Sequence, residues 1–319
     1  SIGASGYAPD GFRLNSSHTY NFCLARDAPP LERLLAKADE LGRDLVRRSK
    51  SETIKAYIGP VLFEKDAAGK FFETLLVNNL SNPREVWTEK NLWSGETMFR
   101  RAGELVERLG MRVTSPFLSV VDDPSARYHE GVPLAGFYEV DDEGVPAQRV
   151  KLVTRGKLSE YYMSRAATRD FKKSNGHGRA DFSEYPTGYS SNVFIVPEDN
   201  PARVVPLPEL KKKFLDLCRE QELEYCILVK GLDSLYGPFS AWKVYLDGRE
   251  EPVHGIAFTG AGLRALRDIT AVSKETSVYN LAWRGTIVTP SILVQEMEIK
   301  KTEEKPEKKP YLGHPYFAK

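Results

Sequence analysis

The sequence has few cysteines, and their arrangement limits what they can do. The chain has three cysteines, Cys23, Cys218 and Cys226. Their number is odd, and their spacing is not that of a paired metal-binding motif. Cys218 falls in a helical pattern just before an apparent strand that contains Cys226. We therefore predict no disulfide framework, which favours a reducing compartment, and we expect a cytoplasmic protein.

Long apolar runs and net charge are also missing. No apolar run approaches the roughly 18 residues that a membrane-spanning helix needs, and the first residues, SIGASGYAPDGF, lack the basic start and apolar core of a leader. Because the chain starts at Ser1 rather than Met, we expect a processed or truncated product. Lysine plus arginine number 45 and aspartate plus glutamate number 44. Such a balance predicts no direct contact with nucleic acid or with a membrane.

Helical periodicity is clearest near the start of the chain. Apolar residues spaced by three and four predict a helix over LERLLAKADELGRDLVRRSK with one buried face. That face consists of Leu31, Leu34, Leu35, Ala38, Leu41 and Leu45. A second helix, DAAGKFFETLLVNNL, is apolar nearly all round, which predicts that it is buried, and Asp66 is placed to cap it. Further helices are predicted around Thr97 to Leu109 and in LPELKKKFLDLCREQ.

Strand patterns dominate the rest of the chain. From Thr114 to Val196, short alternating runs are separated by Asp, Gly, Pro and Asn clusters, which predicts antiparallel strands and turns. These runs are FLSVVDD, GFYEVDD, RVKLVTRGKL, YYMSR and NVFIV. Later strands are predicted in YCILVKGL, SAWKVYLDG, HGIAFTG, Ile269 to Tyr279 and SILVQEMEI. The predicted fold class is therefore α+β, with an antiparallel, sheet-rich emphasis.

The segment SNGHGR, from Ser174 to Arg179, is a candidate binding loop. Its glycines would let the backbone approach a bound group, Arg179 could form a forked contact with a carboxylate, and His177 could move a proton at neutral pH. It is equally compatible with an ordered loop whose His and Arg bond only neighbouring carbonyls. The acidic turn from Asp141 to Gly144 is more typical of turn chemistry than of a metal site.

Six segments occur in a distinctive order: PVLFEKDAAGKFFETLL, VVDDP, DDEGVPAQRVKLVTRGKL, SNGHGR, SSNVFIV and TPSILVQEMEI. From about Tyr57 to Ile299 the chain thereby resembles the core domain of the TldD/PmbA family, also described as modulators of DNA gyrase. The resemblance implies a sheet-rich core domain with a few helices over 53–300. It also implies that 1–52 is the last strand and helix of an N-terminal α/β domain, and that the charged, Pro-rich segment 301–319 is a tail.

The family's core carries a His-Glu-x-x-x-His helix. There the two histidines share zinc with a cysteine, and the glutamate activates the metal-bound water. The corresponding helix here reads FFETLLV, with Phe72 and Val77 at the histidine positions and Glu73 retained. LAWRGTIVTPS corresponds to a shortened form of the cysteine-bearing loop, and no cysteine follows Cys226. The resemblance therefore implies a member without zinc, in which Glu73 is a vestigial general base.

The environment of Glu73 follows from the cost of burying a bare charge. A glutamate without its metal in an apolar helix should be paired, hydrogen-bonded or protonated. Alternatively, it lies at the helix edge and reaches solvent. Of these two open arrangements, the sequence favours the second.

The leading hypothesis is a metallopeptidase homologue that acts as a non-catalytic partner or peptide-binding subunit. The resemblance implies a homodimer or a heterodimer with a TldD-like subunit, no bound cofactor, and a cleft that holds a peptide. The expected peptide-contacting residues are Asn175, His177, Arg179 and Asn192.

Two other functions compete with this one. The first is an active metal-dependent peptidase with a rearranged site, which requires Glu73 and His177 to converge with another histidine such as His129 or His254. The second is a binding protein within a nucleic-acid-associated complex, and the neutral charge speaks against it.

Overall fold

The structure is a computed structural model that describes residues 1–20, 22, 25–81, 103–166, 168, 170–180, 186–237, 239–281 and 285–302. The helices in these ranges are α1 (Leu31–Ser49), α2 (Asp66–Leu75), α3 (Leu207–Glu220) and α4 (Leu263–Arg267). The strands are β1 (Ile2–Tyr7), β2 (Arg13–His18), β3 (Ala56–Phe63), β4 (Leu118–Asp122), β5 (Tyr128–His129), β6 (Val132–Pro133), β7 (Val150–Thr154), β8 (Lys157–Leu158), β9 (Gly178–Arg179), β10 (Thr187–Gly188), β11 (Asn192–Pro197), β12 (Val204–Val205), β13 (Tyr225–Val229), β14 (Phe239–Tyr245), β15 (Glu250–Thr259), β16 (Ile269–Asn280) and β17 (Thr286–Lys301). This content confirms the predicted sheet-rich α+β class.

One large sheet organises the core domain. Strands β15, β14, β13, β3 and β17 follow one another in hydrogen-bonded order, and β17 pairs with β15 again, so these five strands close into a ring. The first half of the long strand β17 lies between β16 and β11, and the sheet continues from β11 through β4 and β7 to β8. Most of these pairings are antiparallel, as predicted, whereas β3 pairs with β13 and β11 pairs with β17 in parallel.

Alternating side chains of the sheet build two hydrophobic clusters, one on each face. Along β3, Val61 and Phe63 belong to the larger cluster with α2, whereas Leu62 belongs to the smaller cluster with α3. Strand side chains point alternately to the two faces, so a sheet covered by helices on both sides reads as a continuous apolar run. The helices α2 and α3 therefore pack on opposite faces of the same strands.

Strands β1 and β2 form a separate hairpin that packs against α1, and we call these three elements the N-terminal unit. Helix α1 confirms the predicted helix, but its apolar face is not buried as predicted. Leu41 is 8% exposed, whereas Leu31 and Leu35 are 68% and 60% exposed. The hairpin covers the later turns of the helix, where a Cβ on Gly6 would lie 3.5 Å from Leu45. The first turns therefore remain open to solvent.

Local predictions differ from the structure at several points. GFYEVDD and YYMSR form only isolated bridges, Val140 with Pro146 and Ser81 with Tyr162. Tight turns use the backbone groups of the first segment locally, and the Asn175 side chain bonds the backbone of the second. Residues 103–109 form consecutive turns instead of a helix, and the rest of that predicted helix lies outside the described residues. Asp66 is in the first turn of α2 and makes no capping bond; Lys65 occupies the cap position with φ of 50°.

Two of the cysteines also depart from expectation. Cys218 at the end of α3 and Cys226 in β13 form a disulfide, with their Cα atoms 5.8 Å apart. The prediction that no cysteines would pair was therefore wrong. The sequence pattern does not reveal how close the end of a helix lies to the next strand when the connection turns back sharply. Cys23 and residues 303–319 lie outside the described residues.

Within the part of the chain that the structure describes, none of the helices is both long enough and apolar enough to cross a bilayer.

Candidate functional site

Helix α2 carries the positions where the family resemblance implies zinc ligands. Phe72 is fully buried, and Val77, which opens a short 3-10 turn after the helix, is 2% exposed. Both side chains belong to the larger hydrophobic cluster, and the Phe72 ring packs edge-on against Phe71. Neither phenyl nor isopropyl offers a lone pair to a cation, so these residues do not fit zinc.

Glu73, the retained glutamate, is paired inside the protein. Its Oε2 accepts a hydrogen bond from the Tyr279 hydroxyl at 2.8 Å and lies 3.0 Å from Lys70 Nζ. The carboxylate side chain is only 16% exposed. Of the two arrangements that the sequence left open, the structure has the paired one.

Tyr279 reaches Glu73 because α2 comes very close to β16. A Cβ on Gly69 would lie 2.3 Å from Tyr279 Cβ, so only glycine allows this approach. Burial raises the pKa of the Tyr279 phenol, and the neighbouring Glu73 carboxylate raises it further. Tyr279 therefore stays protonated, and its hydroxyl donates a hydrogen bond to Glu73. Sequence reasoning missed this partner, since the two residues are 206 positions apart.

The candidate binding loop is bonded to the rest of the chain. Asn175 accepts a hydrogen bond from the Met163 amide at 2.9 Å and donates one to the Tyr161 carbonyl at 2.8 Å. Arg179 lies 3.2 Å from Asp142 with its guanidinium stacked on the Tyr138 ring. The loop is thus held by the acidic turn beside it.

Asn192 is fully buried and is likewise engaged internally. Its Oδ1 accepts from the Gly136 amide and its Nδ2 donates to the Ala126 carbonyl, both at 2.9 Å. Each polar atom of this side chain therefore has a partner within the protein. The role of the loop residues and Asn192 in peptide contact remains a prediction.

His177 belongs to a buried polar cluster at the start of β11. His177 and Asp122 are both fully buried, and Nε2 of the imidazole lies 3.4 Å from Oδ1 of the carboxylate. Asp122 also accepts from the Ser191 amide at 2.8 Å and from the Ser191 hydroxyl. The Tyr162 ring lies 5.6 Å from the imidazole, and its buried hydroxyl has no hydrogen-bond partner in the described part of the chain.

Opposing effects act on the pKa of His177. Burial alone would lower it, but the Asp122 carboxylate and a contact to the Asn175 carbonyl outweigh burial, so the pKa is raised. At 3.4 Å and without hydrogen-bond geometry, Nε2 interacts with Asp122 as an ion pair. The fold therefore favours the protonated imidazole more than water does.

This raised pKa predicts a pH dependence of stability. A group whose pKa is higher in the folded state stabilises below its unfolded pKa, about 6.5, and loses that contribution as pH rises through the folded pKa. We expect the free energy of unfolding, measured in urea, to fall from pH 6 to 9 more steeply for the wild type than for His177→Gln. The matched control, His129→Gln, should keep the wild-type slope. Equal slopes for wild type and His177→Gln would contradict the prediction.

The other described histidines do not converge with His177. His129 contacts Thr276 at 2.9 Å, His254 lies between Ser51 and Asp10, and His18 lies 3.7 Å from Asp66. Among the described residues, no group of three histidines, cysteines or carboxylates is placed to hold a metal ion. Glu73 and His177 also have separate partners. The rearranged metal site thus gains no support from the described geometry.

A cleft of about 760 Å³ lies between the N-terminal unit and the core domain. One wall is α1 together with β2, and every residue from Phe12 to Thr19 lines it. The other wall contains the turn from β3 into α2, the loop after β13, part of β14 and the end of β16. The parallel strands β3 and β13 both end at this cleft.

The outer edge of β2 faces this cleft. The Asn15 carbonyl accepts from Arg48 Nη2 at 3.0 Å, and the Thr19 carbonyl accepts from Asn280 Nδ2 at 3.3 Å. Alternate residues of a strand direct their backbone groups to the same edge, so Ser17 shares the edge of Asn15 and Thr19. Side chains therefore satisfy the carbonyls of Asn15 and Thr19 at this edge. The backbone groups of Ser17 lie between these two carbonyls.

Comparisons with known proteins agree with this architecture. Residues 56–301 match the family model described as the PmbA/TldA metallopeptidase C-terminal domain, so the chain belongs to the TldD/PmbA family. It is 25% identical over 189 residues to a metalloprotease TldD homolog of Buchnera aphidicola and 30% identical over 88 residues to a metalloprotease of Archaeoglobus fulgidus. These alignments cover 56% and 28% of this chain, and 36% and 19% of the relatives.

Two solved structures share the fold. TldE from Thermococcus kodakarensis aligns with a TM-score of 0.57 at 20% identity, covering 83% of this chain and 55% of that protein. A Thermotoga maritima protein described as a modulator of a DNA gyrase aligns with a TM-score of 0.62 at 19% identity, covering 93% and 61%. The chain thus spans less than two thirds of the length of these relatives.

Proposed function

We propose that this chain is a non-catalytic member of the TldD/PmbA family that binds peptides without cutting them. The observation that carries the proposal is the state of helix α2. Phe72 and Val77 fill the hydrophobic core at the two histidine positions, and Glu73 is engaged by Tyr279 and Lys70. A hydrolytic zinc centre needs three protein ligands and a water, and α2 supplies neither of its two histidines.

The cleft between the N-terminal unit and the core domain supports peptide binding. An extended peptide can pair with an exposed strand edge, using backbone hydrogen bonds that do not depend on its sequence. The outer edge of β2 lies along this cleft and offers the backbone groups of Ser17. We propose that the peptide lies against this edge as an additional strand.

The proposed role includes a second subunit, either another copy of this chain or a TldD-like relative that holds zinc. In that arrangement the peptide-binding cleft of this chain would extend the surface on which the partner subunit binds its substrate. The rival proposal, an active peptidase with a rearranged site, lacks a cluster of three candidate ligands among the described residues.

Metal content and hydrolysis test the non-catalytic part of the proposal. The chain is purified without chelator, dialysed against trace zinc and measured by mass spectrometry, alongside an assay with fluorogenic peptides. We expect far less than one zinc per chain and no zinc-dependent hydrolysis. Stoichiometric zinc, or hydrolysis that a chelator abolishes, would overturn the proposal and support the rearranged peptidase.

Backbone methylation tests the peptide site. The probe is a fluorescein-labelled peptide of about eight alternating Thr and Val residues, which favour extended structure. Methylating the amides on one edge of the peptide should weaken binding by about two- to tenfold, because the Ser17 carbonyl is the acceptor left between Asn15 and Thr19 and one lost hydrogen bond costs about 0.5–1.5 kcal/mol. The same peptide methylated on its other edge is the matched control. Equal binding of both methylated peptides, or no binding of the parent, would contradict strand addition.

A further inference from the structure

Charged side chains line the cleft where β3 and β13 end. Leu62 and Leu228 pair across these strands and belong to the smaller hydrophobic cluster, on the face that α3 covers. Side chains two positions further along a strand share its face, which places Glu64 and Lys230 beyond this apolar row. The Glu64 amide donates to the Val229 carbonyl at 2.9 Å and so continues the parallel pairing by one residue. Both Glu64 and Lys230 line the cleft.

Glu64 is a carboxylate with unused capacity to accept hydrogen bonds. Its side chain is only 8% exposed, and its Oε1 has no hydrogen-bond partner in the described part of the chain. Lys211 Nζ, on α3, lies 2.9 Å from Oε1 as an ion pair, but it lacks hydrogen-bond geometry and its side chain is 44% exposed. A carboxylate can accept about four hydrogen bonds and is costly to bury without them. A donor that enters from the cleft would therefore stabilise Glu64.

Other carboxylates near Glu64 favour a cationic donor. Asp66 and Asp233 line the same wall of the cleft as Tyr279. Burial and the Glu73 carboxylate raise the pKa of the Tyr279 phenol, and the charges of Asp66 and Asp233 raise it further. The charges of these carboxylates therefore act on one region of the wall. Such a region attracts a positively charged group.

Lys230 provides a hydrogen-bond donor beside Glu64. Its Nζ lies 2.6 Å from Glu250, which does not line the cleft, and 4.7 Å from the centre of the Trp242 ring. Glu250 therefore balances the charge of Lys230, and Lys65 is the other lysine on this wall. An ammonium carries three donor hydrogens, so the pair with Glu250 leaves Lys230 donors for an acceptor in the cleft.

An acceptor and a donor on neighbouring strand ends match the start of a peptide. A free amino terminus carries an ammonium group, and the carbonyl of the same residue follows one carbon atom later. A lysine side chain carries the same ammonium on a flexible four-carbon stem, with no carbonyl beside it. Glu64 and Lys230 together therefore suit an amino terminus better than a lysine side chain.

We propose that Glu64 and Lys230 bind the free amino terminus of a peptide, with the ammonium donating to the Glu64 carboxylate and the first carbonyl accepting from Lys230 Nζ. This inference rests on the proposed peptide binding and names its substrate class, which is peptides with an unblocked amino terminus. Hydrogen bonds between charged groups are roughly twice as strong as neutral ones, so this contact fixes the direction of the bound peptide. The peptide begins at the ends of β3 and β13 and continues through the cleft toward the edge of β2.

Acetylation of the peptide tests this site. The probe is the peptide of alternating Thr and Val residues with fluorescein at its carboxyl end, and its binding is measured by fluorescence anisotropy with the amino terminus free or acetylated. We expect acetylation to raise the dissociation constant about tenfold or more, the effect of losing one hydrogen bond between charged groups. Equal binding of the two peptides would overturn this inference and leave peptide binding intact, whereas no binding of either would overturn both.

Three variants test whether Glu64 causes the difference. Glu64→Gln should bring the two dissociation constants within about twofold of each other, because the amide loses the charge. Lys211→Gln removes the ion pair from its other side and should keep the difference. Glu139→Gln changes an exposed glutamate that pairs with Arg127 outside the cleft; it is the matched control and should also keep the difference. A difference that persists in Glu64→Gln, or that disappears in Lys211→Gln, would overturn the inference.

An acetylated peptide with one lysine in its middle separates the two sources of an ammonium group. Its binding should stay as weak as that of the acetylated parent, because the lysine ammonium has no carbonyl beside it for Lys230. Restored binding would overturn the assignment to the amino terminus and indicate a lysine side chain. The comparison of free and acetylated peptides uses the unaltered protein, so it decides the question even if Glu64→Gln is too unstable to fold.

Discussion

Asp122→Asn is expected to lower the free energy of unfolding by about 3–5 kcal/mol, because it removes one partner of a fully buried ion pair. Without the carboxylate, burial lowers the pKa of His177 and its imidazole loses a favourable partner, while the Ser191 amide and hydroxyl lose the carboxylate that accepts from them. Water does not reach this cluster to replace the lost contacts, since both members of the pair are fully buried. Urea denaturation monitored by circular dichroism measures the change.

Asp216→Asn is the matched control for this substitution. Asp216 lies on the surface of α3 and pairs with Arg219 one turn away, an arrangement that contributes about 0.3–0.5 kcal/mol. Ser191→Ala provides an intermediate step, because it removes a single hydroxyl bond and should cost about 1 kcal/mol. A loss below 1 kcal/mol for Asp122→Asn would mean that the charge of Asp122 does not stabilise the fold.

Placing histidines at the two positions where the family resemblance implies zinc ligands should destabilise the chain instead of creating a metal centre. In Phe72→His/Val77→His, the first change removes a fully buried ring and introduces ring nitrogens into an apolar cluster, and the second crowds a site that is 2% exposed. We expect a combined loss of about 4–6 kcal/mol, a large part of the stability of an ordinary domain. Zinc should not raise the urea midpoint.

Phe72→Leu is the control for this pair, because it keeps the position apolar and should cost only about 1–1.5 kcal/mol. Val77→His alone provides a folded variant for zinc titration if the double variant is too unstable. Zinc at 100 times its dissociation constant would add about 2.7 kcal/mol to the stability of a chain that binds it. A zinc-dependent gain of this size in either histidine variant would show that the surroundings of α2 still form a metal site, contrary to our proposal.

The buried cluster and the loop around it link stability to the predicted peptide contacts. His177 anchors the loop through Asp122, while Asn175 and Arg179 bond to neighbouring strands and turns. A substitution at any of these positions would therefore change folding as well as any contact with peptide. Binding experiments on them need a parallel measurement of stability, whereas methylated peptides leave the protein unchanged.

Much of the fold was predictable because its signals are local. The spacing of leucines predicted α1, the nearly continuous apolar character of DAAGKFFETLLVNNL predicted the burial of α2, and strand patterns located the main strands from β4 to β17. The family resemblance rested on the order of short segments and is confirmed over residues 56–301. The substitutions at Phe72 and Val77 were also visible, because residue identity alone decides whether a side chain can ligate zinc.

The tertiary structure decided which side chains meet. Tyr279 lies 206 residues from Glu73 and Asp10 lies 244 residues from His254 in sequence, and no local pattern encodes such contacts. The open side of α1 and the pairing of Cys218 with Cys226 likewise depend on where the hairpin and β13 lie. Sequence by itself therefore determined most of the elements and the family. Packing determined the contact between His177 and Asp122, and it determined the cleft. Both depend on distances between segments that are remote in the chain.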